Sequence, residues 1–173
     1  MATLTKAVSI NSKMIVSVSG SSAISKDEGF SSHPYNDQAK HCTVGTGMLI
    51  HKGPCTVEEL KKTYDPSTLQ ESYKSRIQEA QNYVIHYVRD SKLTQSQFDA
   101  LSSFVFNVGV GNAKQTLGLV NKAENEKAAA EMSLFVNVKV KDKNGKITLT
   151  RSNGLTTRRV RETTPFITPK PAK

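Results

Sequence analysis

Pro66-Ser-Thr-Leu69-Gln-Glu-Ser-Tyr73-Lys-Ser-Arg-Ile77-Gln-Glu-Ala80-Gln-Asn-Tyr-Val84-Ile-His-Tyr87 is the most strongly periodic stretch of the chain. Its apolar members Leu69, Tyr73, Ile77, Ala80, Val84 and Tyr87 are spaced by 4, 4, 3, 4 and 3 residues, one stripe of a 3.6-residue helix. Pro66 suits the opening turn, where its missing N–H is no loss. Just upstream, Thr56-Val-Glu-Glu59 reads as a capping box and a short helix start. Downstream, Leu93-Thr94-Gln-Ser-Gln97-Phe98 combines a Thr94/Gln97 capping box with a Leu93/Phe98 staple, so a helix to about Asn107 follows, with Leu101, Phe104 and Val105 inward.

Further out, Gly109 and Gly111 are expected to break the chain before a short helix over 116–121. Residues 125–136, rich in Ala, Glu and Lys, read as helical. Val138-Lys-Val140 and Ile147-Thr-Leu149 alternate around Asp142-Lys-Asn144-Gly145, a hairpin signal. A last helix is expected over 154–162. On the N-terminal side, Ser21 to Glu28 reads as a helix capped by Ser21 or Ser22 and ended by Gly29. The Gly-, Ser-, Thr- and Asn-rich stretch from Phe30 to His51 reads as a small β-lobe of hairpins. The expected division is an arm or short strand over 1–20, one α+β domain over 21–163, and a Pro/Lys-rich tail over 164–173.

A chain of 173 residues with 36% hydrophobic content suits one domain, and at this size folding buries roughly 70% of the unfolded surface. No run approaches the ~18 apolar residues of a membrane span. The first twenty residues lack the apolar core of a signal peptide, so delivery by other means is expected. Lys and Arg exceed Asp and Glu by 24 to 15, a net charge of +9, which draws the protein towards polyanions: nucleic acid, anionic lipid or an acidic wall polymer. Nucleic acid is the weakest of the three, because no recognition motif accompanies the charge.

The chemistry concentrates in Lys26-Asp27-Glu28-Gly29-Phe30, Tyr35-Asn36-Asp37 and Cys42-Thr43-Val44-Gly45-Thr46-Gly47. Glycoside cleavage needs one protonated carboxyl to donate to the leaving oxygen and one ionised carboxyl to activate water or attack. Glu28, in the last turn of a helix, faces the negative end of the dipole and suits the acid. Asp37, in a polar hairpin, suits the base, and the Thr43 hydroxyl suits holding a water. Cys42 and Cys55, 13 residues apart, bracket this hairpin; a disulfide is expected, with reduced half-buried thiols the alternative. His41 and His51 give no spacing for a closed metal site beside those thiols, and no cofactor is implied.

The spacing Glu28-x8-Asp37-x5-Thr43, followed by Gly45-Thr-Gly47, resembles the catalytic signature of the phage T4-type lysozymes, glycoside hydrolase family 24. Leu93-Thr94-x-x-Gln97-x-x-Ala100-Leu101, Phe104-x-Phe106-Asn107-x-Gly109 and Gly154-Leu155-x-x-Arg158-Arg159-x-x-Glu162 continue the resemblance in order. It implies a β-lobe and a helical lobe joined by the long helix, with a cleft between them. It also implies a muramidase cleaving the β-1,4 bond from N-acetylmuramic acid to N-acetylglucosamine in peptidoglycan. Glu28 would be the acid, Asp37 the opposing carboxylate and Thr43 the water-placing residue. In single displacement the two carboxyls would stand roughly 6.5–9.5 Å apart. Tyr35, Gly45, Gln97, Asn107 and Gly109 would contact substrate, and Arg158 or Arg159 would orient the acid. Departures are Lys40 and Met48, where Gly and His are common, Phe135 in place of a tryptophan, and the hairpin over 138–149, which looks inserted. Two settings fit: a phage endolysin released through a holin, or a secreted antibacterial toxin with a periplasmic immunity protein as partner, monomeric in either case. The competing classes are a non-catalytic wall-binding module and a basic nucleic-acid binder.

Overall fold

The computed structural model describes residues 8–37, 39–141 and 145–167. In chain order it has α1 (Val18–Glu28), β1 (Ser31–Asn36), β2 (Cys42–Gly45), β3 (Met48–His51), α2 (Val57–Leu60), α3 (Pro66–Tyr87), α4 (Gln95–Val108), α5 (Val110–Asn121), α6 (Asn125–Met132), β4 (Asn137–Lys141), β5 (Ile147–Arg151) and α7 (Asn153–Ile167). The fold is α+β and lysozyme-like: an antiparallel sheet in the order β1-β2-β3 forms the small lobe, and α3 leads from it into the helical lobe.

Local rules set the helix starts. Asp65 caps α3 by accepting from the Thr68 N–H, ahead of Pro66. The Thr56/Glu59 and Thr94/Gln97 capping boxes are both formed. Gly29 ends α1 at φ 66°, a left-handed conformation that favours glycine. The core gathers on α4, whose Phe98, Leu101 and Phe104 are fully buried with Ile24 of α1, Val84 of α3, Leu117 and Val120 of α5, and Met132 of α6. Burying one such side chain contributes about 1.5–3 kcal/mol. The small lobe has a thinner interior, Val44 and the Cys42–Cys55 disulfide, with Gly45 packed on Leu69 of α3.

Several boundaries differ from expectation. Residues 1–7 of the expected arm lie outside the described residues; over 8–17 the chain is neither a strand nor a loose arm, with Ile10 exposed and Ser9 and Asn11 buried. The Asn11 amide donates to the Val88 and Ser91 carbonyls and accepts from the Leu93 N–H, latching the segment to the loop between α3 and α4. Ser17, not Ser21 or Ser22, caps α1. Gly111 lies inside α5 rather than breaking it, because Ala113, Leu117 and Val120 share one buried face. α6 stops at Met132, short of Val136. α7 continues past Glu162 through Pro165, held by Phe166, which is 5% exposed; residues 168–173 of the expected tail lie outside the described residues. The β4–β5 hairpin forms with Val138 opposite Thr150 and Lys139 opposite Leu149, while residues 142–144 of its turn also lie outside the described residues.

Candidate active site

Glu28 is the final residue of α1, so its side chain leaves the helix where the backbone turns away at Gly29. Its Oε1 accepts from Arg158 Nη1 at 2.7 Å. The remaining edges of that guanidinium are also engaged: Nε donates to Glu162 Oε1 at 3.0 Å and Nη2 donates to the Ser103 carbonyl at 3.1 Å. Arg158 Nε also lies 3.2 Å from Asp27 Oδ2, and Asp27 pairs with Arg161. Of the two candidate arginines, the structure therefore brings Arg158 to Glu28. Arg159, about 100° further round the helix, turns to Asn107 and Glu162 and lies over the Phe104 ring at 4.9 Å.

The two arginines differ electrostatically. Burial disfavours the charge of Arg158, but Glu162 and Glu28 outweigh it and its pKa rises. Burial of Arg159 is offset less completely by Glu162, and the neighbouring Arg158 charge adds to the effect, so its pKa falls. The helix end and the Arg158 cation act on the Glu28 carboxylate with opposite electrostatic sign, a counterweight that the helix position alone did not reveal.

A groove of about 870 Å³ opens beside Glu28, walled by Lys26 and Asp27 of α1, Asn107 of α4, Val138 of β4 and Leu155 of α7, among others. Asn107 is thus at the groove, with its amide oxygen accepting from Arg159. Asp37 and Thr43 are held by the small lobe and are not among the groove's walls. Asp37 Oδ1 accepts from the His41 N–H at 2.8 Å, and the Thr43 hydroxyl, 3% exposed overall, lies 3.4 Å from Asp37 Oδ2 and 3.2 Å from the His41 carbonyl. Burial raises the Tyr35 phenol pKa, and the Asp37 and Glu28 charges push the same way.

The other expected contacts are placed differently. Gln97 is not at the groove: its Oε1 accepts from the Thr94 N–H and its Nε2 donates to the Pro165 carbonyl, ten residues and about 15 Å up α4 from Asn107. Gly109 ends α4 at φ 78° beside a separate depression near Arg76 and Tyr83. Gly45, at φ 67°, is buried, and a side-chain carbon there would meet Leu69 at 3.3 Å. The disulfide is present, with Cα atoms 4.6 Å apart. Cys42, His51 and Glu59 bring donor atoms within 4.8 Å of one another, but the Cys42 sulfur is in that disulfide. Reading from sequence missed Asp27, Ser103, Arg161 and Arg76. Arg76 donates to the Thr46 carbonyl at 2.8 Å and lies over the Phe106 ring at 4.3 Å, tying the turn between β2 and β3 to the helical lobe. Only the i, i+3 and i, i+4 spacing of Arg159 and Arg158 with Glu162 carried a signal for the charged cluster.

Similar proteins agree with this architecture. The endolysin of Bacillus phage B103 is 32% identical over 162 residues, covering 90% of this chain and 55% of that protein. The chain thus spans about half the length of the curated relative it matches. Among solved structures, the endolysin from Escherichia coli O157:H7 phage FAHEc1 superposes with TM-score 0.69 at 26% identity, covering 90% of this chain and 94% of the other. The muramidase domain of SpmX from Asticaccaulis excentricus gives 0.65 at 25% identity, covering 91% and 100%. The family model described as Phage lysozyme matches residues 25–162. That span takes in the carboxylates and arginines of the cluster around Glu28 together with Asp37 and Thr43, and on it the chain belongs to the phage lysozyme family.

Proposed function

We propose that the protein is a peptidoglycan hydrolase, a muramidase that cleaves the β-1,4 bond between N-acetylmuramic acid and N-acetylglucosamine. The observation that carries this reading is Glu28 fixed by Arg158 at the edge of a groove, with Asp37 and the Thr43 hydroxyl side by side on the small lobe. In this reading Glu28 delivers a proton to the glycosidic oxygen and Asp37 serves the opposite face of the sugar. Thr43 lies beside Asp37, where it steadies that carboxylate and helps to place a water. Tyr35 and Asn107 contact the glycan. Gln97, Gly45 and Gly109 serve the frame that holds the site, a role supported by the cap, the Leu69 contact and the helix end they form.

The net charge of +9 favours residence on an anionic wall. Two of the named relatives are endolysins, which supports an endolysin setting; we propose release through a holin and action in the periplasm. Among the described residues no helix is long and apolar enough to cross a membrane. Turbidity loss of outer-membrane-permeabilised cells tests the reading: wild type clears the suspension, and product analysis shows new reducing ends on N-acetylmuramic acid. A reducing end on N-acetylglucosamine, or an anhydro product, would overturn the bond or the reaction type assigned.

A further inference from the structure

Glu162 is buried to 1% exposure and forms no part of the groove. Its Oε1 accepts from the Ser103 hydroxyl at 2.5 Å and from Arg158 Nε at 3.0 Å, and its Oε2 lies 2.7 Å from Arg159 Nη1. A carboxylate withdrawn from water to this extent is costly unless opposite charge meets it; Arg158 and Arg159 supply that charge, with Oε1 hydrogen-bonded and Oε2 in ionic contact alone. The arginine between Glu162 and Glu28 is a planar fork whose edges are each assigned, Nε to Glu162, Nη2 to Ser103 and Nη1 to Glu28.

Charge counting gives this arrangement a consequence. Arg158, Arg159 and Arg161 meet Asp27, Glu28 and Glu162, three cations and three anions. When Glu28 carries its proton, as an acid must before it donates, the cluster has one positive charge in excess. Without Glu162 it would have two, with no buried anion left to offset Arg158 and Arg159. We propose, building on the muramidase reading, that Glu162 is a positioning residue for the acid: it anchors and shares the charge of Arg158, so that Nη1 orients Glu28 without driving its proton off. Among the described residues, other charged or titratable groups near this pair include Lys26 and Asp27 on α1, Arg159 and Arg161 on α7, Tyr73 on α3, and Tyr35 on the small lobe, which also feels the Asp37 charge.

The test compares wild type, Glu162→Gln, Glu162→Asp and the double variant Glu162→Gln/Arg159→Met on purified murein sacculi across pH, with thermal melts to establish folding. Glu162→Gln lowers kcat about tenfold at neutral pH, a fraction of what loss of the acid itself costs, and moves the alkaline limb of the kcat/KM profile to lower pH, with KM little changed. Glu162→Asp keeps the charge and the wild-type limb. The double variant removes one cation with the anion and moves the limb back. If Glu162→Gln does not fold, Ser103→Ala, which removes a donor to Glu162 while keeping its charge, is read instead: a fall in kcat without a change in KM supports the role, and wild-type kcat overturns it. A folded Glu162→Gln variant with wild-type kcat and profile overturns the positioning role while leaving the muramidase reading intact. Wild-type protein that leaves sacculi undigested overturns both.

Discussion

The two catalytic carboxyls proposed here are held by opposite means. Glu28 ends a helix packed on the apolar core and is gripped by an arginine with every edge engaged. Asp37 sits where β1 leads into the turn before β2, steadied by one backbone N–H and a buried threonine in a lobe with a disulfide and few apolar residues. The acid therefore depends on tertiary packing and buried charge, and the opposing carboxylate on local turn geometry and a covalent staple. Damage to the helical lobe should cost both stability and activity, whereas damage to the small lobe should act first on activity.

The largest effect on stability is expected at the core. Phe104→Ala removes a fully buried ring that packs edge-on with Phe135 at 5.3 Å and lies under Arg159. It should cost about 3–5 kcal/mol in chemical denaturation and disturb Arg158 through its neighbour. Replacing Cys42 and Cys55 by serine comes next: it removes a restraint worth about 3 kcal/mol in the chain-entropy view from the small lobe, read first as lost activity and as amide exchange that quickens in β1–β3 more than in α4. Exchange that spreads equally into α4 would break the distinction between the lobes. At Lys40 the backbone has φ 59°, a left-handed conformation on a non-glycine residue three positions after Asp37. Lys40→Gly should stabilise the turn by up to about 1 kcal/mol, read as a rise in melting temperature with the wild-type pH profile retained.

The smallest effect is expected at the exposed clasp between β3 and α2. Hydrogen bonds from the Thr56 backbone and from His51 hold Glu59 at a pKa of about 2, against an ordinary 4.5. The Lys52 backbone and Glu59 raise that of His51 above 6.5. The contribution of Glu59 is therefore complete above pH 4.5 and lost as pH falls towards 2. That of His51 is complete below 6.5 and lost as pH rises through its raised value. Amide protection in α2, corrected for the intrinsic pH dependence of exchange, should be greatest between pH 4.5 and 6.5, and Glu59→Gln should flatten that dependence.

Much of the frame was legible because local rules decide it: the stripe of α3, two capping boxes, the glycine ending α1, and a cysteine pair bracketing a hairpin. What escaped depends on distant partners. Asn11 is buried because the loop after α3 offers three backbone groups, and α7 outruns its apparent end because Phe166 finds the core. At the site, the spacing of Glu28, Asp37 and Thr43 was readable as a family pattern. The choice between Arg158 and Arg159 was not, since adjacent helical residues differ only in direction. Gln97 was drawn towards substrate by its motif, but its amide is engaged by a helix cap and the Pro165 carbonyl.

The central claim is that the proton held at Glu28 cuts the glycan. Release of reducing ends from purified sacculi by wild type and by folded Glu28→Gln tests it most directly. The account predicts rapid release by wild type and a loss of about 10²–10⁴-fold in the variant, with Glu28→Gln retaining a cooperative melt. Release by Glu28→Gln at the wild-type rate would contradict it.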